Sequence, residues 1–357
     1  MDIIQNLWML LILPLMAAFF IFIPNGCMSY PKRRITLFLT LFGTILSLVL
    51  TSVCAHHLMV HNNDFFESNI LFLNAGAFKI HLGVLLDNVS AFMLIILYAV
   101  SVPVCAFSYN YMKNEEGFSR YFIFLNLFIF SMAGLILSTN LIQFYIFWEL
   151  VGVFSYLLIG FYYKKPEAER AARKAFLINR IGDFALFAAI LGFTYFAIQD
   201  NESILYPLLS LKDVNSWGFL AYVQLGALMY TGICLLMTLA ACVKSAQFPF
   251  QAWLVEAMEG PTPISALIHG ATMVTAGVYL LIRVYPALIL SPSVLKIISI
   301  IGIITAITCG IIAISQNDIK KILAFSTSSQ TGLMMTALGC GAYSGSIIHL
   351  GMHGITK

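Results

Sequence analysis

Charge is what this sequence has least of. Only 10% of its 357 residues are Asp, Glu, Lys or Arg, and 60% are apolar. An ordinary soluble domain carries about 25% charged residues. So few charges cannot cover a water-facing surface. With a mean hydropathy of +0.91, the chain reads as a polytopic membrane protein whose main solvent is lipid.

Paired cysteines are missing as well. Cys27, Cys54, Cys105, Cys234, Cys242, Cys309 and Cys340 lie mostly in apolar runs, and no two form a C-x-x-C. That argues against disulfides and iron–sulfur ligation and leaves them as small hydrophobes in helices. No basic, glycine-rich or aromatic-stacking stretch offers a nucleic-acid surface, and the formal net charge is only +3. There is no low-complexity tract, linker or soluble domain. The longest extramembrane pieces are 56–83 and 200–218, both polar. The first segment lacks a basic n-region and its apolar run is long, so it reads as a retained helix rather than a signal peptide.

What the sequence does have is long apolar runs. Ten complete spans are expected, roughly 3–23, 35–55, 84–109, 121–138, 141–163, 175–199, 219–247, 262–285, 294–314 and 322–341, with an eleventh opening near 345. Each is long enough for a bilayer core of about 30 Å at about 1.5 Å per residue. Runs this long and continuous favour helices over barrel strands. With the N-terminus outside, the inner loops hold twelve basic residues, including Lys32–Arg34, Lys113, Arg120, Lys164, Lys165, Arg170, Arg173, Lys174, Lys320 and Lys321. The outer side then holds four: Lys79, Lys212, Arg283 and Lys296. Basic loops stay inside, so the N-terminus is expected outside, in a bacterial-type cytoplasmic (inner) membrane.

A short set of ionisable residues falls within the spans: Glu149, Arg180, Asp183, Lys244, His269, His349, His353 and Lys357. A charge at the centre of a spanning helix costs roughly 2.5–3.5 kcal/mol, and such residues usually mark an ion or proton path. Arg180 and Asp183 are three apart on one helix face and are expected to pair locally, as structural neutralisation or as part of a path. Glu149 has no basic residue three or four positions away, so its partner must come from another helix. Lys244 is the leading candidate.

The run AACVKSAQFPFQAWLVEAM carries Lys244. Pro249 removes a backbone donor and disfavours helix before it, so a broken helix near Lys244–Pro249 is expected. Broken helices at membrane depth line cavities and are typical of transporters. A carboxylate about 6 Å from the lysine would attract it by roughly 2.8 kcal/mol at an effective dielectric of about 20, comparable with the cost of burying the charge. Changing the Glu–Lys distance would then move a proton on or off the lysine. A permanently tight pair would be structural glue.

His269 follows Pro261 and Pro263, which suit a helix start. Thr262, Ser265, Thr272 and Thr275 around it are candidates to hold water beside a proton relay. A satisfied core histidine is the bland alternative. His349, His353 and Lys357 recur at four-residue intervals and share one helix face. A His-x₃-His pair can bind zinc, but no third ligand is evident. A proton-conducting face is expected, with no metal, and a wet structural face is the alternative.

These motifs resemble the antiporter-like subunit 5 of NADH:quinone oxidoreductase, the L subunit of bacterial complex I. From about Leu86 onward the resemblance is carried by LDNVSAFML, YFIFLNLFIFSM, the WELVGVFSYLLIGFYY run, KAFLINRIGDFALF, KSAQFPFQAWLVEAMEGPTPISALIHGATMVTAGVYLL and SQNDIKKILAFSTSSQTG. The first two helices match only in hydrophobicity. The resemblance implies an all-α polytopic transmembrane helix bundle with inverted five-helix repeats. It divides the chain into helices 1–3 (1–110), a first repeat (111–286) and the start of a second (287–357).

It also implies roles. Glu149 matches the carboxylate of the fifth helix, Lys244 the lysine of the broken seventh, His269 the connecting histidine of the eighth, and Lys357 the central lysine after His349 and His353. Arg180 and Asp183 match the sixth helix's NRxGD segment. Gly354, Ile355 and Thr356 stand where the family carries bulky residues. The implied function is proton translocation coupled to quinone reduction, within a complex whose flavin, iron–sulfur clusters and quinone lie on other subunits and whose membrane-arm subunits are the partners. No catalytic residue, redox centre or cofactor site is expected in this chain. Family members continue beyond the position of Lys357, so a fragment or truncated gene is expected. Rival readings are an Mrp-type cation/proton antiporter or membrane-bound hydrogenase subunit, which share these motifs, and a non-conducting scaffold bundle.

Overall fold

The computed structural model describes residues 3–27, 33–61, 64–75, 78–200, 210–270 and 272–357. The backbone is mainly helical. Helices α1 (Ile3–Cys27) and α2 (Arg33–Val60) lead into a hairpin, β1 (Phe65–Ala75) with β2 (Phe78–Asp87). Then come α3 (Asn88–Tyr111), α4 (Phe118–Ile136), α5 (Leu141–Ile159), α6 (Pro166–Asp200) and α7 (Val214–Lys244). The short α8 (Ala252–Glu256) precedes α9 (Thr262–Gly270) and α10 (Met273–Arg283). A turn of helix, α11 (Tyr285–Leu288), leads to α12 (Pro292–Ile314), α13 (Ile319–Gly339) and α14 (Tyr343–Thr356).

Asn140 caps α5 by accepting from the Gln143 amide at 2.9 Å, and Asp318 caps α13 by accepting from the Lys320 amide at 2.9 Å. Both satisfy amides that a helix start leaves unpaired. Helix α6 opens on Pro166 with Glu167 and Glu169 in its first turn, the placement favoured by a proline-tolerant start and the helix dipole.

Eight helical stretches, from Arg33–Val60 to Pro292–Ile314 and with α9 and α10 taken together as one, are long and apolar enough to cross a membrane among the described residues. The other two expected spans are helices of different character: the apolar stretch of α1 is the shorter Leu7–Phe22, and the 21-residue α13 is rich in Ser and Thr. Helices α12 and α13 approach at backbone distance. A Cβ added at Gly302 would lie 2.6 Å from the Gly332 carbonyl oxygen, and one at Gly332 would lie 2.7 Å from that of Gly302. Small residues at a helix crossing permit this where lipid supplies no hydrophobic drive.

The hairpin departs from an all-helical reading. Within and just beyond the expected extramembrane piece 56–83, Phe65–Ala75 pairs antiparallel with Phe78–Asp87, and the expected span beginning at 84 starts instead at Asn88. The hairpin is sewn to the start of α5: Gln143 Nε2 donates to the Gly83 carbonyl at 2.7 Å and Gly83 N donates back to Gln143 Oε1 at 2.9 Å. Asn140 Nδ2 donates to the His81 carbonyl at 2.7 Å. At the next junction, Asp87 caps α3 through a reciprocal pair with Ser90, both bonds 2.8 Å, and its second oxygen pairs with Arg283 at the end of α10.

The expected broken helix is present. Helix α7 ends at Lys244, residues 245–251 leave helical geometry, Ala246 has φ +50°, and the Phe248–Pro249 bond is cis. Two further irregularities are absent from the sequence reading: α7 is kinked at Gly226, which has φ +70°, and Thr272, just before α10, lies outside helical geometry.

Candidate functional site

Lys244 is the last residue of α7, and its side chain is 1% exposed. Burying an ammonium this fully is costly without a charged partner. Its Nζ lies 3.7 Å from Asp183 Oδ1 on α6 and donates to the Trp148 carbonyl on α5 at 3.2 Å. It also sits 4.8 Å from the Trp148 ring centroid, an electrostatically favourable place for a cation. Gly152, one turn on, leaves the space: a Cβ there would come within 3.5 Å of Nζ.

Asp183 is held from two further directions. Trp148 Nε1 donates to Asp183 Oδ1 at 2.8 Å, and Arg180 Nη1 lies 3.8 Å from Asp183 Oδ2. The same guanidinium forms an ion pair with Glu149 and packs 4.3 Å from the Phe176 ring centroid. Glu149 Oε1 accepts from the Tyr145 hydroxyl at 2.8 Å. The result is one alternating chain across three helices: Lys244, Asp183, Arg180, Glu149. The Lys244 end is the buried one, at 1% exposed with Asp183 at 4%, while Arg180 and Glu149 are 30% and 19% exposed.

This corrects the expected pairing. Glu149 pairs with Arg180, and Lys244 with Asp183. Consecutive residues on an α-helix point about 100° apart. Lys244 docks on the face of α5 that carries Trp148 and Gly152. Glu149 lies one position round, toward α6 and the reach of Arg180. The Arg180–Asp183 contact exists, but each residue also engages a partner on another helix.

A second group forms where α9, α13 and α14 meet. His269 is 4% exposed, and neither ring nitrogen has a hydrogen-bond partner among the described residues. Its carbonyl accepts from His353 Nε2 at 3.3 Å. His349 Nε2 is 2.7 Å from Gln330 Oε1, and Lys357 Nζ bonds Ser326 Oγ. His349, His353 and Lys357 line one cavity of about 330 Å³ with Gln330 and Thr356, as their spacing predicts. Among the described residues no third candidate ligand joins the two histidines. Around His269, Ser265 Oγ is buried without a hydrogen-bond partner among the described residues. Thr272 and Thr275 instead bond backbone carbonyls at 2.6 and 2.9 Å, and Thr262 is exposed beside Tyr111.

The broken segment supplies polar groups toward α12 and α13. Gln247 Nε2 donates to Thr331 Oγ1 at 3.0 Å and to the Ser245 carbonyl at 2.9 Å. Phe248 N donates to Thr305 Oγ1 at 3.0 Å. Trp148, Tyr145, Gln247 and Thr331 all escaped the sequence reading, because it searched for charges and these are neutral donors and acceptors.

Comparison with known proteins bears on these residues. Residues 138–357, which contain the Lys244–Glu149 chain and the His269–Lys357 group, match the family model described as NADH:quinone oxidoreductase/Mrp antiporter, TM. The chain belongs to this family. Residues 72–122 match a second model, NADH-Ubiquinone oxidoreductase (complex I), chain 5 N-terminus. The NAD(P)H-quinone oxidoreductase subunit 5, chloroplastic, of Marchantia polymorpha is 41% identical over 367 aligned residues, covering 99% of this chain and 51% of the relative. The protein of that name from Gossypium barbadense is 46% identical over 284 residues, covering 78% and 37%. The first alignment therefore extends over the N-terminal helices too. This chain spans about half the length of such relatives, or less.

Among solved structures, the Mrp complex from Dietzia sp. DQ12-45-1b superposes with a TM-score of 0.80 at 24% identity, over 99% of this chain and 36% of that one. The membrane-bound sulfane sulfur reductase, an archaeal respiratory membrane complex, gives 0.77 at 21%, over 98% and 69%. These two likenesses establish the fold: an all-α polytopic bundle of the antiporter-like type.

Proposed function

We propose that this chain serves as the antiporter-like subunit 5 of a membrane-bound NADH- or NAD(P)H:quinone oxidoreductase and moves protons across the membrane arm. The observation that carries this is the alternating chain from Glu149 to Lys244, ending at a helix break. A scaffold has no need of four buried or half-buried charges in register. The subunit 5 relatives favour the oxidoreductase over an Mrp-type antiporter or hydrogenase.

Arg180 is the natural switch. Opposite charges about 4 Å apart attract by about 4 kcal/mol at an effective dielectric of about 20. With Arg180 on Glu149, Asp183 is left to hold Lys244 in its charged form. If Arg180 turns to Asp183, that carboxylate is neutralised and buried Lys244 sheds its proton toward the polar groups of the broken segment. His269, His353 and Lys357 form the onward group, with His349 beside them.

Flavin, iron–sulfur clusters and quinone are assigned to other subunits, and the neighbouring membrane-arm subunits are the partners. The segments 1–110, 111–286 and 287–357 correspond to helices preceding the repeats, a first repeat and the start of an inverted second one. The basic loops support an N-terminus on the outer side. The membrane is bacterial-type in the sequence reading, while the relatives named above are chloroplastic, and the loop asymmetry holds for either.

The test is proton pumping by the assembled complex in sealed vesicles. Lys244→Ala and Glu149→Gln should each abolish most pumping while assembly and quinone binding persist. Intact pumping in both variants would leave the scaffold reading standing.

A further inference from the structure

Two cavities on the basic side of the membrane lie outside the charge chain. The first, about 300 Å³, opens between the α3–α4 loop at Glu115–Gly117 and the turn after α5 at Phe161–Lys165. The second, about 240 Å³, runs along α4, α5 and α6, and its lining includes Phe124, Tyr156, Leu157 and Ala172, with Glu169 as its one carboxylate. Arg120, Phe161 and Tyr163 line both. The first cavity sets Arg120, Lys164 and Lys165 against Glu115 and Glu116, and the second is mostly apolar, with Arg120 and Glu169 as its charged residues.

Arg120 stands at the joint. Its guanidinium carbon is 5.1 Å from the Phe161 ring centroid and 5.0 Å from that of Tyr163. Its hydrogen bond among the described residues is long, 3.5 Å from Nη2 to the Phe161 carbonyl. Among the described residues no carboxylate lies within ion-pair distance of it, or of Lys165, which sits 4.8 Å from the Tyr162 ring centroid. Nearby carboxylates are engaged: Glu116 with Lys164 at 2.8 Å and Glu169 with Arg173. Glu115 remains at the rim of the first cavity.

We propose that this crevice binds one anionic phospholipid from the adjoining leaflet. The headgroup phosphate sits at Arg120 and Lys165, and an acyl chain lies along Phe124 and Leu157. Arginine presents a planar fork that matches phosphate, and tyrosines and basic residues belong at headgroup depth. A free phosphate would fill only the first cavity and leave the apolar groove without an occupant. The proposal rests on the chain being embedded in a membrane and is independent of proton movement.

The test is native mass spectrometry of the purified full chain in detergent, offered equal amounts of phosphatidylglycerol and phosphatidylcholine. The wild type should retain one phosphatidylglycerol with about tenfold preference. Arg120→Gln should erase the preference, Glu115→Gln should raise it, and Lys321→Gln on the remote α13 should leave it unchanged. If Arg120→Gln does not fold, Lys165→Gln and Tyr163→Ala should each weaken retention. An unchanged preference in Arg120→Gln, or an equal loss in Lys321→Gln, overturns the site. So does displacement of the lipid by inorganic phosphate, which assigns it to a free anion. A photo-crosslinker at position 163 that captures a protein rather than lipid in native membranes assigns the crevice to a neighbouring subunit.

Discussion

Asp183 is bound by both ends of a single residue's surroundings: the Trp148 indole donates to Asp183 Oδ1 at 2.8 Å, while the Trp148 carbonyl accepts from Lys244, the cation that faces Asp183 at 3.7 Å. Tryptophan thus fixes where the carboxylate and the ammonium meet. Removing one partner of a buried pair costs about 3–5 kcal/mol, because the other charge is left uncompensated. Asp183→Asn should therefore lower stability by that order and cut pumping at least tenfold. Asp183→Asn with Lys244→Met should recover most of the stability but none of the pumping. Unfolding of the purified variants in denaturing detergent measures the first, and vesicle acidification the second. A double variant no more stable than Asp183→Asn would remove the pair from the account.

Trp148→Phe keeps the ring and loses the donor. A hydrogen bond to a charged group contributes about 1.5–3 kcal/mol. The variant should be destabilised by that amount, with the Lys244 contacts intact. Trp148→Phe combined with Asp183→Asn should cost little more than Asp183→Asn alone. Additive costs would show that the indole acts by packing.

The pairing of Glu149 is where sequence and structure part. The apolar runs, the break between Lys244 and Pro249, and the shared face of His349, His353 and Lys357 were all legible, because each follows from local spacing. Glu149's need for a partner on another helix was legible too, but the identity of that partner was not. It depends on how α5 is rotated against α6, and one residue of error moves a side chain by about 100°. The hairpin at 65–87 escaped because Phe65–Ala75, FFESNILFLNA, lacks clean apolar–polar alternation. The departure from helical geometry at Thr272 showed in the sequence only as Gly270 within an apolar run. Asp87 and Arg283 are 196 residues apart, and no local pattern joins them.

The corrected pairing is measurable by double-mutant cycles. Residues in direct contact couple by about 0.5–3 kcal/mol, and distant ones add within about 0.3–0.5 kcal/mol. Glu149→Gln with Arg180→Met should fall in the first range. Glu149→Gln with Lys244→Met, which share no ion pair or hydrogen bond among the described residues, should give a clearly smaller value. Equal coupling energies would restore the Glu149–Lys244 pairing that the sequence favoured.

The cap of α3 gives a pH-dependent prediction outside the membrane spans. Burial disfavours the charged form of Asp87, but the Arg283 charge and the bonds from Ser90 outweigh it and hold the carboxyl below its ordinary value. An unfolded aspartate titrates near about 3.9. The lowered group therefore contributes stability that is fully present above about pH 4 and lost as pH falls through its folded value. Asp87→Asn keeps an oxygen that can cap the helix but loses the charge facing Arg283. It should be less stable than the wild type at neutral pH, and the gap should narrow as pH falls below about 4. Unfolding midpoints across that range test this. A gap that stays constant from pH 7 to pH 3 would show that Asp87 works as a neutral cap and that Arg283 draws nothing from its charge.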